Sequence, residues 1–174
     1  MSKVTVLGAG AWGSTMAQVL SDAGNHVLMW GRNQEIVNEI NTTHTNRKYL
    51  DENVLPLGIS ATTDLKQAFE YSNIYVLAVP AQVLRENLKS WKALVDPAAT
   101  YISTLKGIEV STLSRMTEII HEEMNTENFA LITGPNLATE LIMRQPAGAV
   151  AAAPTKLLAE KTLKLFATPY YRVY

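Results

Sequence analysis

With 174 residues, 15 basic and 16 acidic side chains and a net charge of −1, the chain suits one α/β domain and carries no field for nucleic acid or an anionic membrane. It has no cysteine, which excludes disulfides and thiolate chemistry and suits a reducing cytoplasm. Met1-Ser2-Lys3 runs straight into a β-branched segment, so no secretory leader is expected; the most apolar late stretch, Ala147 to Ala153, is too short for membrane insertion.

Val4-Thr5-Val6-Leu7 reads as a buried strand. It is followed by Gly8-Ala9-Gly10-Ala11-Trp12-Gly13, a complete G-x-G-x-x-G, and by a helix from Ser14 to Ala23 with Gly24 as its stop. In this strand–turn–helix setting the motif predicts a dinucleotide site. Gly8 allows the tight turn, Gly10 lets the backbone approach a pyrophosphate, and Gly13 lets the helix pack on the strand. The free N–H groups at the helix start attract phosphate.

Val27 to Trp30 reads as a second strand and Gln34 to Asn41 as a helix. NAD-specific folds usually end the second strand on an acid that binds the ribose 2′-hydroxyl. Here the position reads Trp30-Gly31-Arg32-Asn33. A carboxylate would repel a 2′-phosphate, whereas Arg32 can pair with it or stack on adenine, so NADP is the expected cofactor, with NAD also accepted. Thr43 to Thr63 reads as a long irregular connection, a functional loop or a local insertion.

Asp64 is the expected N-cap of the next helix. Ile74 to Val79, closed by Pro80, reads as a strand buried on both faces. A helix through Val83, Leu84, Leu88 and Trp91 follows, then strands at Tyr101 to Ser103 and Ala130 to Thr133 around a helix from Ser111 to Met124. A helix over Leu137 to Met143 precedes strands at Ala147 to Ala152 and Tyr171 to Val173, which flank a helix from Thr155 to Phe166. This alternation predicts an α/β fold, a doubly wound Rossmann-type sheet that is mostly parallel.

Ligands of such folds bind beyond the carboxyl ends of the strands. Five segments converge there: the glycine loop, Gly31-Arg32-Asn33, Pro80-Ala81, Thr104-Leu105-Lys106-Gly107 and Gly134-Pro135-Asn136. Lys106 is a cation beside a permissive Gly107, and an ammonium there suits a phosphorylated substrate and a developing alkoxide. Gly134-Pro135-Asn136 reads as a turn into a helix with Asn136 as N-cap, a role compatible with anion binding. His26, His44 and His121 have no partner pattern for a metal and read as structural or surface residues. Phe69, Trp91 and Phe166 read as core, and Glu140 faces either solvent or the crevice.

In order along the whole chain, Gly8 to Gly13, Trp30-Gly31-Arg32, Leu77-Ala78-Val79-Pro80, Thr104 to Gly107, Thr133 to Ala138 and Tyr171-Arg172-Val173-Tyr174 resemble bacterial NAD(P)-dependent glycerol-3-phosphate dehydrogenases. The resemblance implies interconversion of dihydroxyacetone phosphate and sn-glycerol 3-phosphate, the glycerol backbone of phospholipids. It implies cofactor contacts at Trp12, Arg32 and Ala138, contact with both cofactor and substrate at Lys106, and substrate contacts at Gly134 and Asn136. Ala11 stands where such enzymes often have Ser, which removes a hydroxyl contact and keeps the backbone N–H. Asn136 stands where Ser or Thr is usual, and its amide can still donate to a substrate oxygen.

The resemblance further implies a largely helical second domain beyond Tyr174. That domain supplies a lysine as general acid/base, an acid for the substrate, an arginine for its phosphate and most contacts of a homodimer. Residues 1–174 alone are then expected to bind cofactor without useful turnover. Two other readings of the same residues stand beside this one: an NADP-binding sensor without chemistry, and a related two-domain dehydrogenase of another substrate such as a 3-hydroxy acid.

Overall fold

The computed structural model describes residues Met1–Tyr174. Its opening unit is β1 (Lys3–Leu7), α1 (Ala11–Asp22) and β2 (His26–Trp30). Val4 to Leu7 are all buried, as a strand covered on both faces requires. α1 begins at Ala11 rather than Ser14, because Gly10, extended at φ −86° and ψ −173°, is its N-cap. It ends in a Schellman motif: Gly24, at φ 88°, donates to the Ser21 carbonyl and Asn25 to that of Leu20.

α2 (Gln34–Thr43), α3 (Arg47–Leu50) and β3 (Ile59–Thr62) follow. Asn33 caps α2, its side chain accepting from the N–H groups of Glu35 and Ile36. The connection from Thr43 to Thr63, expected to be irregular throughout, thus holds a short helix and an edge strand. Ile59-Ser60-Ala61-Thr62 carries two strand-favouring β-branched residues, Ile59 and Thr62, in a segment too short to form a strand alone. Pairing with β2 makes it a strand, and the Asn41 amide clamps it, donating to the Ala61 carbonyl and accepting from the Ala61 N–H at 2.9 and 2.8 Å.

The remaining elements are α4 (Leu65–Tyr71), β4 (Ile74–Leu77), a 3₁₀ turn at Ala81–Val83, α5 (Leu84–Trp91), β5 (Thr100–Ser103), α6 (Met116–Met124), β6 (Phe129–Thr133), α7 (Ala138–Ile142), β7 (Ala147–Ala152), α8 (Lys156–Phe166) and β8 (Tyr171–Val173). Asp64 caps α4 as expected. α6 starts at Met116, not Ser111. The preceding residues are drawn into a loop by an Ile108–Arg115 bridge, and Leu113 at φ 61° cannot continue a helix. Glu118 then opens α6 by accepting from the Arg115 N–H at 2.7 Å.

The strands form one sheet in the order β3-β2-β1-β4-β5-β6-β7-β8. Every neighbouring pair is parallel except β6 and β7. α1, α2, α7 and α8 contribute to the larger core on one face, which includes Phe166. α4, α5 and α6 build the smaller core on the other, around Phe69, Tyr75 and Trp91. Edge-on and tilted aromatic pairs such as Trp30–Trp91 and Tyr75–Tyr101 knit this second face. β2 lies on one side of β1 and β4 on the other, so the chain reverses its winding between β1 and β4. That switch point is where a doubly wound sheet opens a crevice. No helix is long and apolar enough to cross a membrane.

Candidate functional site

The crevice has a floor that only glycine can make. Gly8 takes φ 131°, and a Cβ there would overlap the Ala78 carbonyl oxygen. A Cβ on Gly13 would overlap the Gly8 carbonyl oxygen. Gly10 differs, because its Cβ would meet nothing within 4 Å. Two glycines therefore answer the chain's own packing, and the third leaves open space. Ser14 is the first residue of α1 whose N–H finds a backbone carbonyl, that of Gly10 at 2.9 Å. The N–H groups of Gly10, Ala11, Trp12 and Gly13 have no acceptor in the chain, and no side chain caps the helix. They form a cluster of donors backed by the positive end of a helix dipole.

Around this floor lies a crevice of about 810 Å³, walled by the glycine loop, Trp30 to Asn33, Ala78 to Ala81 and Thr104 to Lys106. Its size falls within the ~300–1,000 Å³ range of small-molecule and cofactor sites. Arg32 lines the rim beyond β2, exposed and in no ion pair, and no carboxylate lines the crevice beside it. Gly31 abuts the loop closely: a Cβ there would fall 2.7 Å from that of Ala9. Tyr49, on α3, also lines the crevice and was not singled out from the sequence. The available signal was an aromatic in the polar run Asn46-Arg47-Lys48-Tyr49, where it stays 42% exposed.

Lys106 stands at the far side of the crevice. Its Nζ donates to the Asn136 carbonyl at 3.2 Å and lies 5.7 Å from the centre of the Trp12 ring. Gly107 beside it adopts φ 120°. The loop that carries both is pinned twice. The Gln82 amide donates to the Ile108 carbonyl at 2.8 Å and accepts from the Val110 N–H at 3.0 Å. Arg85 on α5 then reaches the buried Glu109 at 2.9 Å, and Glu122 and Glu123 at 2.8 and 2.6 Å. The Arg85 guanidinium and the Thr112 hydroxyl hold the Glu109 carboxyl below its ordinary value. Glu109, Glu123 and Glu122 in turn raise that of Arg85, which stays charged.

Asn136 is not the N-cap of α7; that residue is Leu137, whose side chain makes no capping bond. The Asn136 amide is instead turned inward, donating to the Gly148 carbonyl at 3.0 Å and accepting from the Tyr171 hydroxyl at 3.3 Å. Burial pushes the Tyr171 phenol up to about 12, which keeps it a donor. Gly134 is glycine for a related reason, since a Cβ there would collide with the Gly148 carbonyl on the returning β7. The structure thus gathers Gly8, Gly10, Ala11, Trp12, Arg32 and Lys106 around one crevice. Gly13 lies beneath the loop, while Gly134, Asn136 and Ala138 lie outside the crevice, Asn136 alone being joined to it by the bond from Lys106. Glu140, His26 and His121 are exposed, and His44 is half-buried at the left-handed end of α2.

A doubly wound sheet with a glycine loop and free helix N–H groups at its switch point defines a Rossmann-type dinucleotide domain. The family model for the N-terminus of NAD-dependent glycerol-3-phosphate dehydrogenase matches residues 3–159, and the chain belongs to that family. The glycerol-3-phosphate dehydrogenase [NAD(P)+] of Thermobifida fusca is 45% identical over 177 aligned positions, covering 100% of this chain and 53% of that protein. That of Corynebacterium diphtheriae is 44% identical, over 99% of this chain and 53% of its own length. Among solved structures, the Coxiella burnetii glycerol-3-phosphate dehydrogenase superposes with a TM-score of 0.92 at 26% identity, over 99% of this chain and 53% of that one. The Saccharomyces cerevisiae enzyme gives 0.89 at 29%, over 99% and 56%. The chain spans about half the length of the curated relatives it matches.

Proposed function

We propose that this chain is the cofactor half of an NAD(P)-dependent glycerol-3-phosphate dehydrogenase, that it takes NADPH in preference to NADH, and that it works in the cytoplasm. The observation that carries the reading is the position of Lys106, one side toward the nucleotide crevice and the other bonded to the Asn136 loop. A module that only senses a nucleotide has no need of a crevice cation tied to the loop after β6.

The residues present fit a nicotinamide dinucleotide, since the open space at Gly10 and the free N–H groups of α1 make a cradle for two phosphates. When bound, the nicotinamide supplies or accepts a hydride. The chain's own part is to bind and orient. Ala11 and Trp12 would donate to the pyrophosphate, and Arg32 would pair with the 2′-phosphate at the rim. Lys106 faces the phosphorylated substrate and steadies negative charge on the carbonyl oxygen as it becomes an alkoxide. Gly134 and Asn136 shape the substrate side, and Ala138 the cofactor side, of the same junction. We assign the proton donor and the phosphate clamp to a helical second domain beyond Tyr174.

The test follows NADPH oxidation with dihydroxyacetone phosphate for residues 1–174 and for the full-length protein. The shorter chain should bind NADPH by fluorescence titration yet turn over far more slowly, because a positioned general acid alone contributes about 10²–10⁴ in rate. Comparable turnover from both would place the whole machinery within these residues.

A further inference from the structure

Asn46 is fully buried at the start of α3, in the connection whose local sequence predicts no structure. Its own carbonyl accepts from the N–H groups of Tyr49 and Leu50, so α3 fixes its backbone. Its side chain makes no bond within that connection. Both bonds of Nδ2 leave it: to the Ala9 carbonyl of the glycine loop at 3.0 Å and to Ser14 Oγ on α1 at 2.8 Å. Ala9 is thereby held on two sides, by the Asn46 amide and by the close approach of Gly31.

The orientation of one peptide follows. In a trans peptide the C=O and N–H point in opposite directions. With the Ala9 carbonyl drawn inward to a buried amide, the N–H of Gly10 is turned the other way, toward the crevice that Gly10 lines. That N–H has no acceptor in the chain. We propose that Asn46 is a positioning residue for pyrophosphate binding: it sets the Ala9–Gly10 peptide so that the Gly10 N–H joins those of Ala11 and Trp12 as a phosphate donor. It touches no phosphate itself. The inference rests on the dinucleotide reading of the crevice and adds a residue to it.

The experiment uses the full-length protein with Asn46→Ala, and with Asn46→Asp as a variant of equal size. The carboxylate of Asn46→Asp can accept from the Ser14 hydroxyl, reversing the bond that the amide donates, but cannot donate to Ala9. Calorimetric titration compares three probes: NADPH, ADP-ribose, which has a pyrophosphate, and adenosine 2′-monophosphate, which has none. Affinity for the first two should fall about tenfold in either variant, the size of one hydrogen bond to a charged group. Affinity for adenosine 2′-monophosphate should hold. A purely structural role would lower the melting temperature and weaken all three probes alike, and that result, or unchanged affinities in a folded variant, overturns the proposal. Failure of the unsubstituted protein to bind NADPH or ADP-ribose would instead remove the dinucleotide reading beneath it.

Discussion

Lys106 donates its ammonium to the backbone carbonyl of Asn136, Nζ to O 3.2 Å, across the gap between the loops that follow β5 and β6. The bond uses one of three ammonium donors and leaves the others for a ligand. Asn136 is anchored in turn to Gly148 of β7 and Tyr171 of β8. The place of the cation is therefore decided partly by the far edge of the sheet. In the full-length enzyme, Lys106→Ala should lower kcat/KM for dihydroxyacetone phosphate by about 10²-fold, the scale of one charge-stabilising donor, with a smaller effect on cofactor affinity. Steady-state kinetics beside a cofactor titration separates the two. A loss confined to cofactor affinity would move Lys106 out of the substrate's reach.

The three glycines should respond differently to a side chain. Gly10→Val meets open space, so its melting curve should stay near that of the parent while NADPH binding is lost to the intruding side chain. Gly13→Ala drives a methyl into the Gly8 carbonyl, and overpacking of that kind costs about 1–3 kcal/mol. Thermal melts by circular dichroism, with fluorescence titration, distinguish them. A folded Gly10→Val that still binds NADPH at parental affinity would take the pyrophosphate away from this loop.

Arg32 carries the cofactor preference. Arg32→Asp should weaken NADPH by about 10- to 100-fold, the range for one lost hydrogen bond to a charged group, and should spare or improve NADH, whose ribose hydroxyl a carboxylate can accept. Parallel titration of both reduced cofactors provides the measurement. An unaltered ratio would show that Arg32 is only a rim residue.

The Arg85–Glu109 pair should give the loop of Lys106 a dependence on pH. Arg85 and Thr112 hold the Glu109 carboxyl below the usual 4.5, so the folded chain favours its ionised form. For a lowered carboxylate, the stabilisation is complete above the unfolded value and is lost as pH falls through the folded one. Arg85→Leu should accordingly lower the melting temperature near neutrality, and its gap to the parent should narrow in the acid range below about pH 4. A gap that stays constant across that range would mean that the pair contributes nothing through Glu109.

The sequence by itself determined the alternation of strands and helices, the glycine loop and the exposed cations Arg32 and Lys106. Each of these is a local matter. Continuous apolar runs mark strands buried on both faces, Gly8 needs its positive φ within one turn, and residues just after a strand face the crevice wherever the sheet is parallel. Tertiary structure decided the rest, because the partners concerned lie far apart in the chain. β3 is a strand because β2 and Asn41 hold its four residues, which are too few to form one alone. α6 waits until Met116 because Arg85 and Gln82 claim the preceding loop. Asn136 resembles an N-cap in sequence, but β7 returns antiparallel and offers its amide the Gly148 carbonyl, a buried bond that a solvent-side cap does not match. Asn46 finds its partners 32 and 37 residues away, on α1 and in the loop before it, and no local pattern carries that information.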